Sequence, residues 1–243
     1  MVAGTGHLLR LLLLCAACVA APLALAQDAG PNLNGYASLS TAYWKRGFSQ
    51  NNHASAQVGI DFEHHTGFYV GAWAASVDFA REYSAAEPRD IEADIYFGFN
   101  KRHEQWSWNV GLGHYLYPGT AVNYDYNEVS ATFGFRDRLF YTAAYSDSYY
   151  GVWRASLNQE VSFAYPLRGN IEIGGGIGKF SISNNVLDVT YWNAGVSKLI
   201  RRVAVDVRYY SSDYPRVAYW GDPDANHLVL SVSYALGGRR PKI

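Results

Sequence analysis

The feature that most constrains this chain is an alternation of apolar and polar residues that persists over unusually long segments. One such segment has an apolar set and a polar set that interleave, namely Ile91, Ala93, Ile95, Phe97 and Phe99 with Glu92, Asp94, Tyr96, Gly98 and Asn100. Successive side chains on a strand point to opposite faces, so each segment has one apolar and one polar face. Twelve segments follow this pattern, at 34–48, 54–64, 68–79, 90–102, 106–117, 126–135, 139–149, 153–165, 170–180, 189–199, 203–212 and 226–236.

The length of these segments separates two classes of β protein. Most of them have about 10 to 13 residues, whereas strands in globular proteins most often have about 5 to 6. A tilted strand that crosses a membrane needs about 9 to 11 residues. The segments are therefore too long for an ordinary soluble sandwich and suit a membrane barrel.

The connections between segments alternate in length. Short connections lie near 65–67, 101–105, 136–138, 166–169 and 200–202, and mostly longer ones lie near 51–53, 80–89, 118–125, 181–188 and 211–225. Outer-membrane barrels have short periplasmic turns, longer extracellular loops and an even number of strands. The sequence thus predicts an all-β chain, a transmembrane antiparallel up-and-down β-barrel of about 12 strands with both termini in the periplasm.

Aromatic residues are abundant, at 16% of the chain, with 20 Tyr and 7 Trp. Amphipathic rings favour the headgroup level of a membrane, so two outward-facing girdles are expected. The girdle near the long connections would contain Tyr43, Trp44, Tyr115, Tyr117, Tyr124, Tyr126, Tyr149, Tyr150, Trp153, Tyr191, Trp192 and Tyr209. The girdle near the short turns would contain Phe62, Phe68, Tyr69, Phe97, Phe99, Trp106, Trp108, Phe133, Phe135, Phe140, Phe163 and Tyr165.

The first 26 residues have the layout of a secretory signal peptide. Arg10 precedes an apolar run at 11–21, and Ala24-Leu25-Ala26 offers a cleavage site with small residues. The run is too short to span a bilayer as a helix, which needs about 20 residues; a short anchor and a lipoprotein signal at Cys18 are the alternatives. We therefore expect a signal peptide at 1–26 and one barrel domain at 27–243.

The composition of the mature chain excludes several functions. Both cysteines lie in the signal, so disulfide and thiol chemistry are excluded from the rest. Arg10 is the only charge of the signal, which leaves 19 basic and 21 acidic residues of the chain's 20 and 21. A nucleic-acid partner would favour a basic stripe, and we expect none.

Several stretches resemble one bacterial family. They are WKRGFSQ at 44–50, AQVGIDFEHHTGFYVGAWAASVDF at 56–79, GLGHYLYPG at 111–119 and YDYNEV at 124–129. Together they resemble the proteobacterial TorF-type porins, which also carry the domain label Gcw_chp. The resemblance runs over essentially the whole mature chain, and it implies an outer-membrane barrel with a channel function.

Alternation also assigns charged residues to the inside of the barrel. The residues expected to line the pore are Asp61, Asp78, Glu92, Asp94, Glu128, Glu160, Glu172, Asp206 and Arg208. A basic side chain facing lipid near mid-membrane costs about 2–4 kcal/mol, and an acidic one less. Rings of carboxylates select cations in channels. The same residues could instead form a paired structural network, with Arg208, Lys45 or Arg46 as counter-charges.

A polar motif lies at the boundary between the first segment and its loop, and it contains Arg46, Gly47, Ser49 and Gln50. One interpretation is an inward-folded constriction or ligand contact. The other is a loop anchor that hydrogen-bonds the barrel rim. The sequence alone leaves both open.

Motifs for catalysis and cofactors are incomplete. The stretch Gly174–Lys179 is followed by Phe180 where a phosphate loop needs Ser or Thr. His103-Glu104 lacks the second histidine of a zinc helix. A lipid-hydrolysing barrel would need a Ser–His pair, for which His114 and Ser146 are the remaining candidates. We therefore expect no enzyme, no cofactor and no metal.

The function expected from these observations is a porin-like channel of the bacterial outer membrane for passive diffusion of small hydrophilic solutes, with a preference for cations. The alternative is a closed structural or adhesive barrel whose extracellular loops bind a ligand. The partners expected are outer-membrane lipid and lipopolysaccharide, the barrel assembly machinery and small hydrophilic solutes, without nucleic acid.

Overall fold

The computed structural model describes residues 32–78, 90–118, 123–151, 153–184, 186–214 and 226–237. The expected signal peptide at 1–26 lies outside the described residues, and so do 79–89, 119–122 and 215–225 of the long connections. Within the described ranges, no helix is long and apolar enough to cross a membrane.

Twelve strands close into one antiparallel barrel. Its strands are β1 (Asn32–Ser40), β4 (Ser55–Glu63), β5 (Phe68–Val77), β6 (Asp90–His103), β7 (Trp106–Leu116), β8 (Tyr126–Phe135), β9 (Leu139–Ser146), β10 (Ser156–Leu167), β11 (Ile171–Ile182), β12 (Leu187–Ile200), β13 (Val203–Ser212) and β14 (Asn226–Gly237). Two short strands, β2 (Tyr43–Lys45) and β3 (Phe48–Asn51), form a separate hairpin, and a 3-10 turn lies at Tyr149–Gly151. The predicted barrel of 12 strands is confirmed.

Each barrel strand pairs with the next barrel strand along the chain, and β1 pairs with β14 to close the sheet. Both chain ends of the barrel therefore lie at the same end as the short turns, which we call the turn end. The opposite end, where the longer connections lie, is the loop end. This arrangement agrees with the predicted topology.

The alternation in sequence becomes an apolar outside and a polar inside. In β6, Ile95 and Phe97 are exposed on the outer surface, while Glu92 and Asp94 are buried in the lumen. The same contrast repeats around the barrel, with Val, Leu, Ile and Phe forming most of the exposed outer face. A closed sheet leaves no strand edge unpaired, which is a requirement for a sheet in lipid.

The first predicted segment, at 34–48, is wrong in its second half. The wall strand β1 ends at Ser40, whose barrel partner on β4 is Ser55. Residues 41–54 are thus an insertion between β1 and β4, whose last paired residues, Ser40 and Ser55, face each other directly. The loop expected at 51–53 begins with Asn51, the last residue of β3.

The girdle predicted near the long connections is also wrong. Most of its members are buried inside the barrel, namely Tyr43, Trp44, Tyr115, Tyr117, Tyr124, Tyr126, Tyr149, Tyr150 and Tyr191. Trp153, Trp192 and Tyr209 are the exposed members of that set. At the turn end the expectation largely holds, because Phe62, Phe68, Phe97, Trp106, Phe133, Phe163 and Tyr165 are exposed, whereas Tyr69 is buried.

We expect the folded protein to be heat-modifiable. A closed barrel has every strand paired, so in detergent it should resist unfolding until it is boiled and should migrate at different apparent masses before and after boiling. Circular dichroism should be dominated by β structure. A helical spectrum, or one migration position regardless of heating, would contradict the fold.

Candidate functional site in the barrel lumen

A two-residue turn forms the tip of the β2–β3 hairpin. Lys45 pairs with Phe48 across Arg46 and Gly47, whose φ angles are 53° and 90°. Positive φ at both central residues is the requirement of a type I′ turn, which matches the twist of the strands it joins. The local sequence therefore favours a tight hairpin at a place where the alternating pattern suggests continuous strand.

The hairpin tip lies against the inner wall formed by β12 and β13. A Cβ atom on Gly47 would lie 2.8 Å from the Tyr191 Cβ and 2.8 Å from a Val189 methyl carbon. The Ser212 hydroxyl donates a hydrogen bond to the Gly47 carbonyl. Glycine is thus required at this position for two reasons, namely its positive φ angle and its close approach to the wall.

Two ion pairs connect the hairpin to the opposite part of the wall. The Arg46 guanidinium donates two hydrogen bonds to the Glu128 carboxylate, at 2.6 and 2.7 Å. The Lys45 ammonium lies 2.7 Å from a Glu92 oxygen and 4.3 Å from the centre of the Tyr115 ring. All four charged side chains are buried. Charged bidentate pairs are among the strongest hydrogen-bonded contacts in proteins.

Neutral hydrogen bonds hold the second strand of the hairpin. The Tyr150 hydroxyl donates to the Gln50 side-chain oxygen at 2.6 Å, and the Asp78 amide donates to the Gln50 carbonyl at 2.8 Å. The Asn51 side chain donates to the Ser76 carbonyl at 3.2 Å. Burial raises the pKa of Tyr150 well above its usual value, so its phenol remains a donor at neutral pH.

The loop-end half of the lumen is filled with aromatic side chains. Phe48 packs between Phe180 and Tyr214, with ring centroids 5.9 and 5.6 Å apart. Tyr149 packs on Phe180 at 4.9 Å. The whole cluster comprises Phe48, Tyr115, Tyr117, Tyr124, Tyr126, Tyr149, Tyr150, Phe180, Ile182, Leu187, Val189, Tyr191 and Tyr214.

The motif Arg46, Gly47, Ser49 and Gln50 therefore folds inward, as the first of the two interpretations from the sequence expected. Arg46, Ser49 and Gln50 are all buried, and the tip contacts the far wall near its loop-end rim, because Ser212 is the last residue of β13. Whether the motif acts as a constriction or as an anchor for the hairpin stays a prediction. The expected counter-charges Lys45 and Arg46 come from this inserted hairpin and not from the barrel strands.

The other predicted lumen residues fall mainly toward mid-height and the turn end. Asp61 accepts a hydrogen bond from the Tyr96 hydroxyl, and Glu160 accepts one from the Tyr191 hydroxyl at 2.9 Å. Glu172 is buried near the start of β11.

Arg208 provides the positive charge of this lower region. It pairs with Asp206 at 3.2 Å and donates to the Asn193 side chain at 2.7 Å. Asp61, Glu160 and Glu172 are also buried in the lumen, so among the described residues the lumen has more carboxylates than cations. The excess is concentrated below the hairpin.

Glu63 is a lumen carboxylate that the sequence did not predict, Asp78 departs from the expected inward face, and Asp94 is buried on the lumen face as expected. Glu63 was not predicted; it is buried, accepts a hydrogen bond from Asn100 at 2.8 Å, and shares the lumen face with Asp61. Asp78 directly follows β5, out of phase with the buried set that ends at Val77. Neither oxygen of Asp94 has a hydrogen-bond partner among the described residues.

A cavity lined by both hydroxyl and apolar side chains lies below the hairpin. Its empty volume is about 550 Å³ counting the space open to solvent. It is lined by Ser38, Ser40, Ala42, Tyr43, Trp44, Gln57, Ser197, Ala204, Asp206, Tyr210, Val229, Ser231 and Ser233. Trp44 stacks on Tyr210 with centroids 6.2 Å apart, so the hairpin forms the loop-end side of this space.

The candidate Ser–His pair is not assembled. His114 is exposed on the outer face and contacts Asn127 at 2.9 Å, whereas Ser146 is buried on the inner face. Among the described residues, no group of three or more potential ligand side chains could hold a metal ion.

We expect the Arg46–Glu128 pair to stabilise the docked hairpin. Arg46→Met leaves a buried carboxylate without its partner, which typically costs about 3–5 kcal/mol. The temperature at which the folded band disappears on electrophoresis should therefore fall. Arg46→Met combined with Glu128→Met removes both charges and should recover much of the loss; a double variant as unstable as the single variants would contradict this role.

Comparison with solved structures shows the fold again. A KdgM porin in complex with disordered oligogalacturonate superposes with a TM-score of 0.53 at 10% identity, covering 84% of this chain and 98% of that chain. The NanC porin superposes with a TM-score of 0.51 at 8% identity, covering 85% and 99%. At such low identity the likeness concerns the fold alone. No curated protein sequence matches the chain.

A family model matches residues 26–234, and its description is a bacterial protein of unknown function (Gcw_chp). The match spans nearly all of the barrel and includes the inserted hairpin. The chain belongs to the Gcw_chp family.

Proposed function

We propose that the protein is an outer-membrane channel for passive diffusion of small hydrophilic solutes. The observation that carries the proposal is a closed barrel with an apolar outer face and a lumen lined by hydroxyl, amide and charged side chains. Such an interior is costly to build unless it contains water or paired groups. The similarity in fold to two porins supports a channel rather than an enzyme.

In this proposal the β2–β3 hairpin is the constriction. Its Lys45 and Arg46 side chains reach β6 and β8, and its Gly47 carbonyl accepts a hydrogen bond from Ser212 of β13. The solute path would lead from the serine-rich cavity on the turn-end side, past the hairpin, to the loop end. The pore would be narrow, because Phe48 packs into the buried aromatic cluster and Trp44 lines the cavity below it.

The excess of lumen carboxylates supports a preference for cations. Lys45 and Arg46 neutralise Glu92 and Glu128 near the hairpin. Below it, Asp61 and Glu63 are bound by neutral donors instead of cations. Narrow low-dielectric walls concentrate the field of such groups. Oligogalacturonate, named with the KdgM structure, is a polyanion, and this lumen would disfavour one.

A closed structural or adhesive barrel is the second candidate. The filled loop-end half of the lumen favours it, because twelve buried aromatic and aliphatic side chains of the described residues pack there around Phe48 of the hairpin. The two candidates differ in one observable, ion flow through the folded protein.

We expect the pore to widen when the hairpin is removed. Replacing residues 41–54 by Asn-Gly joins Ser40 to Ser55, which already face each other in the sheet, through the turn that two paired strands prefer. Single-channel conductance in planar bilayers should rise several-fold over the wild type.

Shortening another loop-end connection, 183–186 between β11 and β12, provides the matched control and should leave conductance near the wild-type value. If the wild type and the hairpin-free barrel are both folded and neither conducts, the closed-barrel candidate is correct. If both conduct equally, the hairpin is not the constriction.

We also expect reversal potentials under a salt gradient to report cation preference. Asp61→Asn with Glu63→Gln should weaken that preference, since both carboxylates lie in the lumen and no cation of the described residues forms an ion pair with them. Glu92→Gln with Asp94→Asn should act less strongly, because Lys45 already balances Glu92. Asp188→Asn, which removes an exposed carboxylate, is the control; an equal effect from it would rule out a lumen origin of selectivity.

A further inference from the structure

The turn end of the barrel has a collar of exposed basic residues, which we call the basic collar. Its members are Lys101, Arg136, Arg138, Arg168, Lys198 and Arg201. Arg102 and Arg202 are half-buried in the same turns, and Arg102 is paired with Asp137. Glu104 is the exposed carboxylate of the described turns at this end. The collar therefore has a large positive excess.

Two of these arginines are fixed at the edge of the apolar outer face. The Arg136 guanidinium carbon lies 5.1 Å from the centre of the Phe135 ring. The Arg138 guanidinium carbon lies 4.9 Å from the centre of the Tyr165 ring. Tyr165 is exposed on the outer face, so the guanidinium groups lie at the level where lipid-facing rings end. That level is the headgroup region of a membrane.

The positive charges of the collar are available for an external partner. Among the described residues, no carboxylate forms an ion pair with Arg136, Arg138 or Arg168. Arg138 and Arg168 belong to neighbouring hairpins, because β9 pairs with β10. Their positions spread the charge along the perimeter, whereas a site for one free anion would need donors that converge.

Among the described residues, the loop end differs in charge from the turn end. Asp147, Asp188 and Asp213 are exposed there, against Arg154 and Lys179. Lys179 is paired with Asp188 at 3.2 Å. Within the described ranges, this charge asymmetry distinguishes the two ends of the barrel and would distinguish the two leaflets around it.

We infer that the basic collar binds the phosphate groups of anionic phospholipids in the leaflet at the turn end. The inference rests on the proposed membrane location but does not require that the barrel conduct. Each basic residue near an anionic membrane surface contributes about 1 kcal/mol, which corresponds to about a fivefold change in affinity. Such contacts would fix the depth and orientation of the barrel in the bilayer.

The test uses the folded full barrel in a non-ionic detergent, titrated with dihexanoyl phosphatidylglycerol, dihexanoyl phosphatidylcholine and inorganic phosphate, with bound lipid counted by native mass spectrometry. Phosphatidylglycerol should bind at least fivefold tighter than phosphatidylcholine. This preference should shrink in 0.5 M salt, where the Debye length falls to a few ångströms.

The test variant is Arg138→Gln with Arg168→Gln, and its matched control is Arg154→Gln with Lys179→Gln at the loop end. The first should lose about tenfold or more in affinity for phosphatidylglycerol, and the second should keep wild-type affinity. Equal binding of the two lipids by the wild type, equal losses in both variants, or phosphate binding as strong as lipid binding would each overturn the inference. The salt dependence of the wild type decides the matter if a variant fails to fold.

Discussion

Closure of the sheet is the constraint on which the rest of this structure depends. A strand exposed to lipid cannot leave backbone donors and acceptors unpaired, because no water is present to satisfy them. Twelve strands that pair in chain order, with β1 meeting β14, remove every edge. Closure also creates an enclosed interior, and the polar side chains that face it must contact water, paired charges or another part of the chain.

The chain itself occupies the loop-end half of this interior. The hairpin brings Lys45 and Arg46 to Glu92 and Glu128, so charges that would be isolated on the wall become buried pairs. Phe48 completes an aromatic cluster with Tyr149 and Phe180. Charge pairing positions the hairpin and apolar packing excludes water around it, and each would be weaker without the other.

In the turn-end half of the lumen, below the hairpin, carboxylates outnumber cations among the described residues. Arg208 offsets Asp206, while Asp61 and Glu63 are stabilised by the Tyr96 hydroxyl and the Asn100 amide. A hydroxyl or amide donor satisfies a carboxylate oxygen without cancelling its charge. The turn-end half of the lumen is therefore more negative than the half above it, which is why the proposed selectivity depends on that region.

Sequence periodicity was sufficient to predict the barrel, its strand number and the inward face of residues such as Glu92, Asp94 and Glu128. The inward tyrosines could also have been assigned, because Tyr115 has the same parity on β7 as Asn109, and Tyr126 has the same parity on β8 as Glu128. The abundance of aromatic residues near strand ends predicted their orientation less well than their odd or even position along the strand. Girdle residues must face outward, and alternation decides the face.

The hairpin was harder to predict, because its existence depends on contacts with distant strands. Arg46-Gly47 is a recognisable turn dipeptide, but the pattern from Tyr43 to Phe48 also fits a continuing strand. Only the register of Ser40 with Ser55 shows that the wall closes without residues 41–54. Such a register is set by the whole sheet and cannot be derived from one segment.

Amide hydrogen exchange of the folded protein, followed by mass spectrometry, tests most directly whether the hairpin is docked in the lumen. Peptides covering residues 43–51 should exchange as slowly as those from β5 or β6, since their amides lie in a buried hairpin that opens only when its ion pairs break. Exchange of this segment within seconds, at the rate of a free surface loop and while the barrel strands remain protected, would contradict the account.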